Sequence, residues 1–179
     1  AFPSLCKKFN MPAVGISDSS NLFGALEFAT TCMEEGIKPI IGANVLVKYK
    51  LKNEEIVKPF LFFAQNEEGY LNLIKLVSNP FLDGNTILFE DLYKFNKGLI
   101  ILTGGANGII GTLILKNNLN EAEKVLKDLY FVFKDRLYVE IQRHNLLEEV
   151  KTEKHFLDLS EKLNILIVAT NNCFFEDES

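Results

Sequence analysis

Hydrophobic side chains make up 47% of the 179 residues, enough to build a sizeable core and incompatible with a disordered chain. Nineteen Lys and Arg against 24 Asp and Glu leave a net charge of −5, which excludes the basic footprint of a segment that grips a phosphate backbone. No apolar run approaches the ~20 residues that span a bilayer.

In chain order, the sequence opens at Ala1 inside a helical-looking stretch without an initiator Met, and is expected to be a piece of a longer chain. A helix over residues 2–10 stops at Asn10-Met11-Pro12, and strand 13–17 runs into the polar loop Asp18-Ser19-Ser20-Asn21. Leu22, Leu26, Ala29 and Met33 mark the inward face of the next helix, which Gly36 closes. Residues 38–49 begin as a solid apolar run and then alternate, with Val45, Val47, Tyr49 and Leu51 facing opposite to Asn44, Leu46, Lys48 and Lys50. The polar turn 52–55 leads straight into strand 57–65, so the two strands form a hairpin and the sheet is mixed.

Beyond Asn66, Tyr70, Leu73, Ile74 and Val77 predict a helix that ends before Ser78-Asn79-Pro80, followed by a loop at Asp83-Gly84-Asn85. A short helix over 89–95 and a turn at 96–98 precede strand 99–103, which ends in Gly104-Gly105. Helices follow at 108–116 and 121–133, the second with Ala122, Val125, Leu126, Leu129 and Phe133 on one stripe. Strand 137–143, a helix over 147–163 with Phe156, Leu159 and Leu163 inward, a stop at Asn164 and strand 165–170 complete the pattern. Alternating strands and helices predict an open or closed α/β barrel, read as one domain over 1–179.

Several strands deliver polar side chains at their C-terminal ends, where parallel α/β folds present chemistry: Asp18, Asn44, His144 and Asn172. As a metal site this set is poor, because amide oxygens carry no charge and two good ligands do not hold a catalytic ion. Asp18 reads either as a ligand or as a cap of the following helix, with Ser19, Ser20 and Asn21 competing for that role. His144 shares its strand face with Glu140 and Gln142 by alternation, and reads either as a ligand or as a structural histidine bonded to a carboxylate. His155 falls off the apolar stripe of its helix and is expected in solvent.

Gly104-Gly105-Ala106-Asn107-Gly108 resembles a phosphate loop but lacks both the G-x-G-x-x-G spacing and a P-loop lysine, so a tight turn is favoured; a small-molecule-binding domain using that turn is one reading. No nucleophile elbow is present. Cys6, Cys32 and Cys173 form no C-x-x-C pair and are expected as reduced, buried thiols in a cytosol.

Met11-Pro12-Ala13, Ile16-Ser17-Asp18, Asn21-Leu22-Phe23-Gly24, Gly36-Ile37-Lys38-Pro39-Ile40-Ile41-Gly42, Gly69-Tyr70-Leu71-Asn72-Leu73, the run from Gly98 to Gly105 and Val168-Ala169-Thr170-Asn171 carry a resemblance. In this order and spacing they resemble the PHP (polymerase and histidinol phosphatase) domain of the alpha subunits of bacterial replicative DNA polymerases. The resemblance implies a distorted (β/α)7 TIM-like barrel, incomplete here at the N-terminus and at the C-terminus, with a metal site at the strand ends. The family's opening strand with its His-x-His pair would lie before Ala1.

Metal-binding members have Asp-His where this chain has Asp18-Ser19, Gly-x-Glu where it has Gly42-Ala43-Asn44, and Ala-Thr-Asn-Asp-x-His where it has Ala169-Thr170-Asn171-Asn172-Cys173-Phe174. By this resemblance Asp18 and His144 are vestigial ligand positions expected to be unoccupied, and Ser19, Asn44, Asn172 and Phe174 are degenerate ones. The resemblance also implies a parent chain that is a cytoplasmic DNA-directed DNA polymerase, with Mg2+ at a polymerase site elsewhere in it. This segment would bind no cofactor, meet DNA only through other domains, and dock the rest of the polymerase chain and a proofreading 3′–5′ exonuclease subunit, with no membrane contact. A metal-dependent phosphoesterase of the same superfamily is the alternative, and it requires intact ligands.

Overall fold

A computed structural model describes residues 2–83 and 86–171; Gly84, Asn85, Asn172, Cys173 and Phe174 therefore lie outside the described residues. The chain forms two compact units, residues 1–101 and 102–179.

In the first unit, α1 (Phe2–Lys8) leads to β1 (Ala13–Ser19), α2 (Ala25–Glu34), β2 (Lys38–Lys50), β3 (Glu55–Ala64), α3 (Glu67–Asp83) and β4 (Ile87–Leu88). A 3₁₀ turn over Phe89–Tyr93 and β5 (Leu99–Leu102) follow. β1 runs parallel to the first half of β2, from Ala13 opposite Lys38 to Ser19 opposite Asn44. β3 runs antiparallel to the second half, from Gly42 opposite Phe63 to Lys50 opposite Glu55, so the expected hairpin and mixed sheet are present. The alternation in β2 buries Ala43, Val45, Val47 and Tyr49, and leaves Leu46 and Lys50 exposed. β4, which periodicity could not reveal at two residues, pairs in parallel with Val47 and Lys48. Its neighbour Phe89 meets the Tyr49 ring edge-on at 5.1 Å. Across the sheet α3 packs on β2 and β3, burying Leu73, Leu76 and Val77 beside a sheet that buries Phe60 and Phe62. Each such side chain contributes about 1.5–3 kcal/mol.

Two helices correct the sequence reading. The stripe Leu22, Leu26, Ala29 and Met33 does not face the core: Leu26 is 80% and Met33 65% exposed, and α2 instead buries Ala25 and Cys32 with Phe28 packed beside them. α3 does not stop before Ser78 but carries through Pro80 to Asp83, and its Tyr70 and Ile74 are exposed. A proline removes only one donor from a helix, and the remaining bonds carry the chain through. The stop of α2 is as expected: Gly36, at φ 73°, donates its N–H to the Met33 carbonyl, and Ile37 N–H reaches the Cys32 carbonyl. Those two bonds are the Schellman closure, which favours glycine at the left-handed position. Cys6 and Cys32 are buried free thiols in one cluster with Ile37, Val14 and Phe28; burial, reinforced by Cys6, pushes the Cys32 thiol up.

In the second unit a 3₁₀ turn over Gly105–Asn107 leads to α4 (Ile109–Leu115) and α5 (Leu119–Phe133), then β6 (Leu137–Ile141), α6 (Leu147–Leu163) and β7 (Ile167–Ala169). The α5 stripe from Ala122 to Phe133 is buried as expected. β6 and β7 run parallel, Val139 opposite Ile167 to Ile141 opposite Ala169, and both are shorter than the sequence predicts. α6 has the expected bounds, but Leu159 and Leu163 are only half-buried and Thr152 and Ser160 share the inner face with Phe156. Both polar side chains satisfy themselves locally, Thr152 Oγ1 on the Glu148 carbonyl at 2.8 Å and Ser160 Oγ on the Ile165 carbonyl at 2.5 Å. His155 is half-buried, where solvent was expected. No helix of the described residues is long and apolar enough to cross a membrane.

Candidate functional site

The first unit presents Asp18 and Ser19 at the C-terminal end of β1; Asn44, expected at a strand end, lies instead in the middle of β2, opposite Ser19 on one side and Leu61 of β3 on the other, because β2 runs on to Lys50 as one arm of the hairpin. Asp18 is the penultimate residue of β1 and lies opposite Ala43, with Ser19 opposite Asn44. The strand pairing continues one step further, because Ser20 N–H donates to the Asn44 carbonyl at 2.7 Å. Ser20 takes a left-handed φ of 56°, and Asn21 then ties the loop: its Nδ2 donates to the Ser19 carbonyl at 3.0 Å and its Oδ1 accepts from Phe23 N–H at 3.0 Å. Asp18 therefore does not cap α2. The N-cap is Gly24, without a side-chain bond, and Asp18 Oδ2 lies 3.3 Å from where a Gly24 side chain would begin.

The second unit holds His144 just beyond β6. The alternation that would put it on one face with Glu140 and Gln142 fails because β6 ends at Ile141. Glu149, on the first turn of α6, captures the loop: Oε2 accepts from His144 N–H at 2.7 Å and Leu146 N–H at 3.2 Å, while Oε1 meets His144 Nδ1 at 2.7 Å. A glutamate three residues into a helix bonding back to the N-cap N–H is half of a capping box, which the Leu146-to-Glu149 spacing could have disclosed. On the other side His144 Nε2 meets Asn171 Oδ1 at 2.5 Å. Both ring nitrogens are thus engaged, Nδ1 on the Glu149 carboxylate and Nε2 on the Asn171 side chain, an arrangement that favours the protonated ring.

The Glu149 bond first, then the Asn171 bond, raise the His144 pKa above its ordinary 6.5, against desolvation. Burial pushes the Glu149 carboxyl up, but the bonds from His144 and from the two backbone N–H groups outweigh it and hold it below 4.5. The raised histidine contributes stability that is full below pH 6.5 and lost as pH rises through its folded value. The lowered glutamate contributes stability that is full above pH 4.5 and lost as pH falls through its folded value. Stability from this pair is therefore expected to peak between those limits, and melting midpoints measured across pH should lose the alkaline decline in His144→Asn.

Further along β6, Glu140 is 3% exposed and fully engaged. Its Oε2 accepts from Gly104 N–H at 3.0 Å; its Oε1 accepts from Gln142 Nε2 at 3.2 Å and from the Thr170 hydroxyl. Glu140 N–H donates in turn to Thr103 Oγ1 at 2.9 Å. The glycine-rich turn thus has its leading N–H on the chain's own carboxylate, which is the tight-turn reading of Gly104-Gly105. None of Thr103, Thr170, Glu149 and Asn171 is a site candidate by sequence; Thr170 and Asn171 lie in the family-like run from Val168 to Asn171, and Glu149 carries a local signal as an acid in the first turn of a helix.

A divalent ion needs charged oxygens or imidazole lone pairs. Ser19 and Asn44 offer neutral oxygens, and both ring nitrogens of His144 are already engaged, on Glu149 and on Asn171. Among the described residues no three His, Cys, Asp or Glu side chains group so as to hold a metal. Ser19, Asn44 and the engaged His144 ring do not fit such an ion, which leaves Asp18 as the one suitable donor among the expected positions that are described; Asn172 and Phe174 lie outside the described residues.

The chain is similar to DNA polymerase III subunits alpha: 38% identical to that of Rickettsia bellii over 98% of this chain, 34% to that of Vibrio cholerae over 98%, and 33% to that of Caulobacter vibrioides over 96%. It spans only 15–16% of the length of these relatives. Among solved structures, a protein of Bifidobacterium adolescentis designated a metal-dependent phosphoesterase matches 94% of this chain and 79% of its own, with a TM-score of 0.56 at 11% identity, which speaks for the α/β fold alone. The profile of the PHP domain family matches residues 3–144, most of the chain, and so this chain belongs to the PHP domain family.

Proposed function

We propose that the chain is the PHP segment of a bacterial replicative DNA polymerase alpha subunit, whose parent chain carries out template-directed DNA synthesis in the cytoplasm with Mg2+ held elsewhere. The observation that supports this best is a similarity that runs through 98% of the segment and is shared with alpha subunits of distant bacteria. Within that protein the segment serves as a catalytically inactive scaffold and subunit-docking module. Asp18 and His144 are vestigial ligand positions, and Ser19, Asn44, Asn172 and Phe174 degenerate ones. Neutral oxygens at Ser19 and Asn44, and a His144 ring engaged on both nitrogens, support that role. A PHP domain without metal chemistry leaves removal of mismatched primer ends to a separate 3′–5′ exonuclease subunit, which this segment would help to recruit.

The test uses the full-length chain. Asp18→Ala combined with His144→Ala should leave primer extension within about twofold of the unaltered protein, and neither form should remove a mismatched primer end on its own. A mismatch-removing activity present in the unaltered chain and absent from a double variant with an intact circular dichroism spectrum contradicts the scaffold role.

A further inference from the structure

The outward face of α2 is apolar, and among the described residues of the first unit nothing covers it. Leu26 and Met33 are 80% and 65% exposed, and Phe23, just before the helix, is 86% exposed. At ~100° per residue Leu26, Thr30 and Met33 fall within about 60° of one another, a single stripe along the helix. Thr30 does not interrupt it, because its hydroxyl is already bonded to the Leu26 carbonyl at 2.9 Å. At one end Phe23 also lines an open groove of about 420 Å³ with Leu22, Tyr70 and Ile74, so the stripe continues into a recess. Exposed apolar surface on this scale marks a place where something docks.

The charge beside the stripe narrows the occupant. α2 carries Glu27 and Glu34 and no Lys or Arg, and these two exposed acids, seven residues apart, run in line along one flank. Among the described residues neither is in an ion pair, whereas Glu35 is bonded to Lys7 at 3.0 Å. Two copies meeting through this face would bring their acidic flanks together if antiparallel, and in either orientation α2 offers no Lys or Arg to pair with them, which disfavours self-association. The same acids disfavour an anionic lipid surface.

We infer that the α2 stripe, from Phe23 to Met33, is a docking face for an amphipathic helix of another polypeptide, with leucine-type anchors on one side and Lys or Arg along the edge that meets Glu27 and Glu34. Apolar anchors supply the affinity, with the flexible Met33 adapting to their shape, and the charges set the orientation. This deepens the docking role proposed above and rests on it only in that respect. Peptide binding is read separately from primer extension and from metal content, so its failure leaves those tests standing.

The probe is a labelled 16-residue peptide with leucine at i, i+3, i+4 and i+7 spacing and lysine on its flanks, titrated by fluorescence anisotropy into the full-length chain near 0.15 M salt. Saturable binding is expected, weakened at least about tenfold by Leu26→Ser with Met33→Ser. Glu27→Lys with Glu34→Lys should weaken the lysine peptide and create binding of a glutamate-flanked version. These positions are exposed, so the variants should keep the parent circular dichroism. Absence of binding to the full-length chain, binding unchanged in the serine variant, no charge swap, or a concentration-dependent dimer abolished by Leu26→Ser would each overturn the inference.

Discussion

Gly69→Ala is expected to be among the most damaging single substitutions in the first unit. A β-carbon at Gly69 would lie 1.8 Å from the Gly98 carbonyl oxygen and 2.5 Å from its carbon. Both are backbone atoms, and the backbone there is tied down on every side. Gln65 N–H donates to that same Gly98 oxygen at 2.8 Å, Gly69 N–H is held by Asn66 Oδ1 at 2.9 Å, and Asn72 Nδ2 donates to the Lys97 carbonyl at 3.0 Å. Gly98 itself sits at φ 66°, with Asn66 Oδ1 2.2 Å from where its own β-carbon would be. Relief requires α3 to lift off the turn that launches β5, so a loss of about 3 kcal/mol or more is expected, a large share of a typical domain's stability. Urea unfolding of the full-length chain should show the transition of this region moving to lower denaturant. A midpoint unchanged within error would mean that the helix and turn separate more easily than these bonds indicate.

Glu149→Ala is the second large effect. It strips the acceptor from two backbone N–H groups, those of His144 and Leu146, and from the His144 ring at once. Water can reach part of this loop, which tempers the loss to about 2 kcal/mol. The His144 pKa should fall back toward its ordinary range, a shift readable by NMR titration of the ring. Glu149→Gln should rescue only partly. Its amide offers one accepting oxygen where the carboxylate has two, and its NH2 would face a donor. If Glu149→Ala left the His144 titration unmoved, Glu149 would not be what raises the ring's pKa.

The same residues show where sequence reading succeeds and where it stops. β2 and α5 were legible because only one phase of their apolar pattern fits burial: Val45, Val47 and Tyr49 by twos, Ala122 to Phe133 by threes and fours. α2 was not, because it has two apolar faces. Leu26 and Met33 satisfy helical spacing as well as Ala25, Phe28 and Cys32 do, and periodicity alone does not say which face meets the sheet. The family-like run Gly69 to Leu73 was legible as a motif, yet its roles in Gly69 and Asn72 are contacts with the Lys97-Gly98 turn, 25 or more residues away. Of the candidate site, Asp18 and Ser19 emerge at the end of β1 as their position in the pattern implies, whereas Asn44 sits mid-strand, because β2 does not stop after its apolar run but continues to Lys50 against β3. His144 was expected on a strand face, but two residues of lost strand free it to turn toward Glu149 and Asn171.

On the proposed scaffold role, Asp18 and His144 hold no functional metal. Metal content decides it most directly. The full-length chain and its Asp18→Ala, His144→Ala double variant are saturated with zinc or manganese, freed of loose ions, and compared by mass spectrometry for metal per chain and for the melting midpoint with and without chelator. Equal metal content in the two proteins, with a chelator effect that does not differ between them, is the predicted result. An ion retained by the unaltered chain and missing from the double variant, accompanied by a chelator-induced drop of several degrees only in the former, would contradict the account.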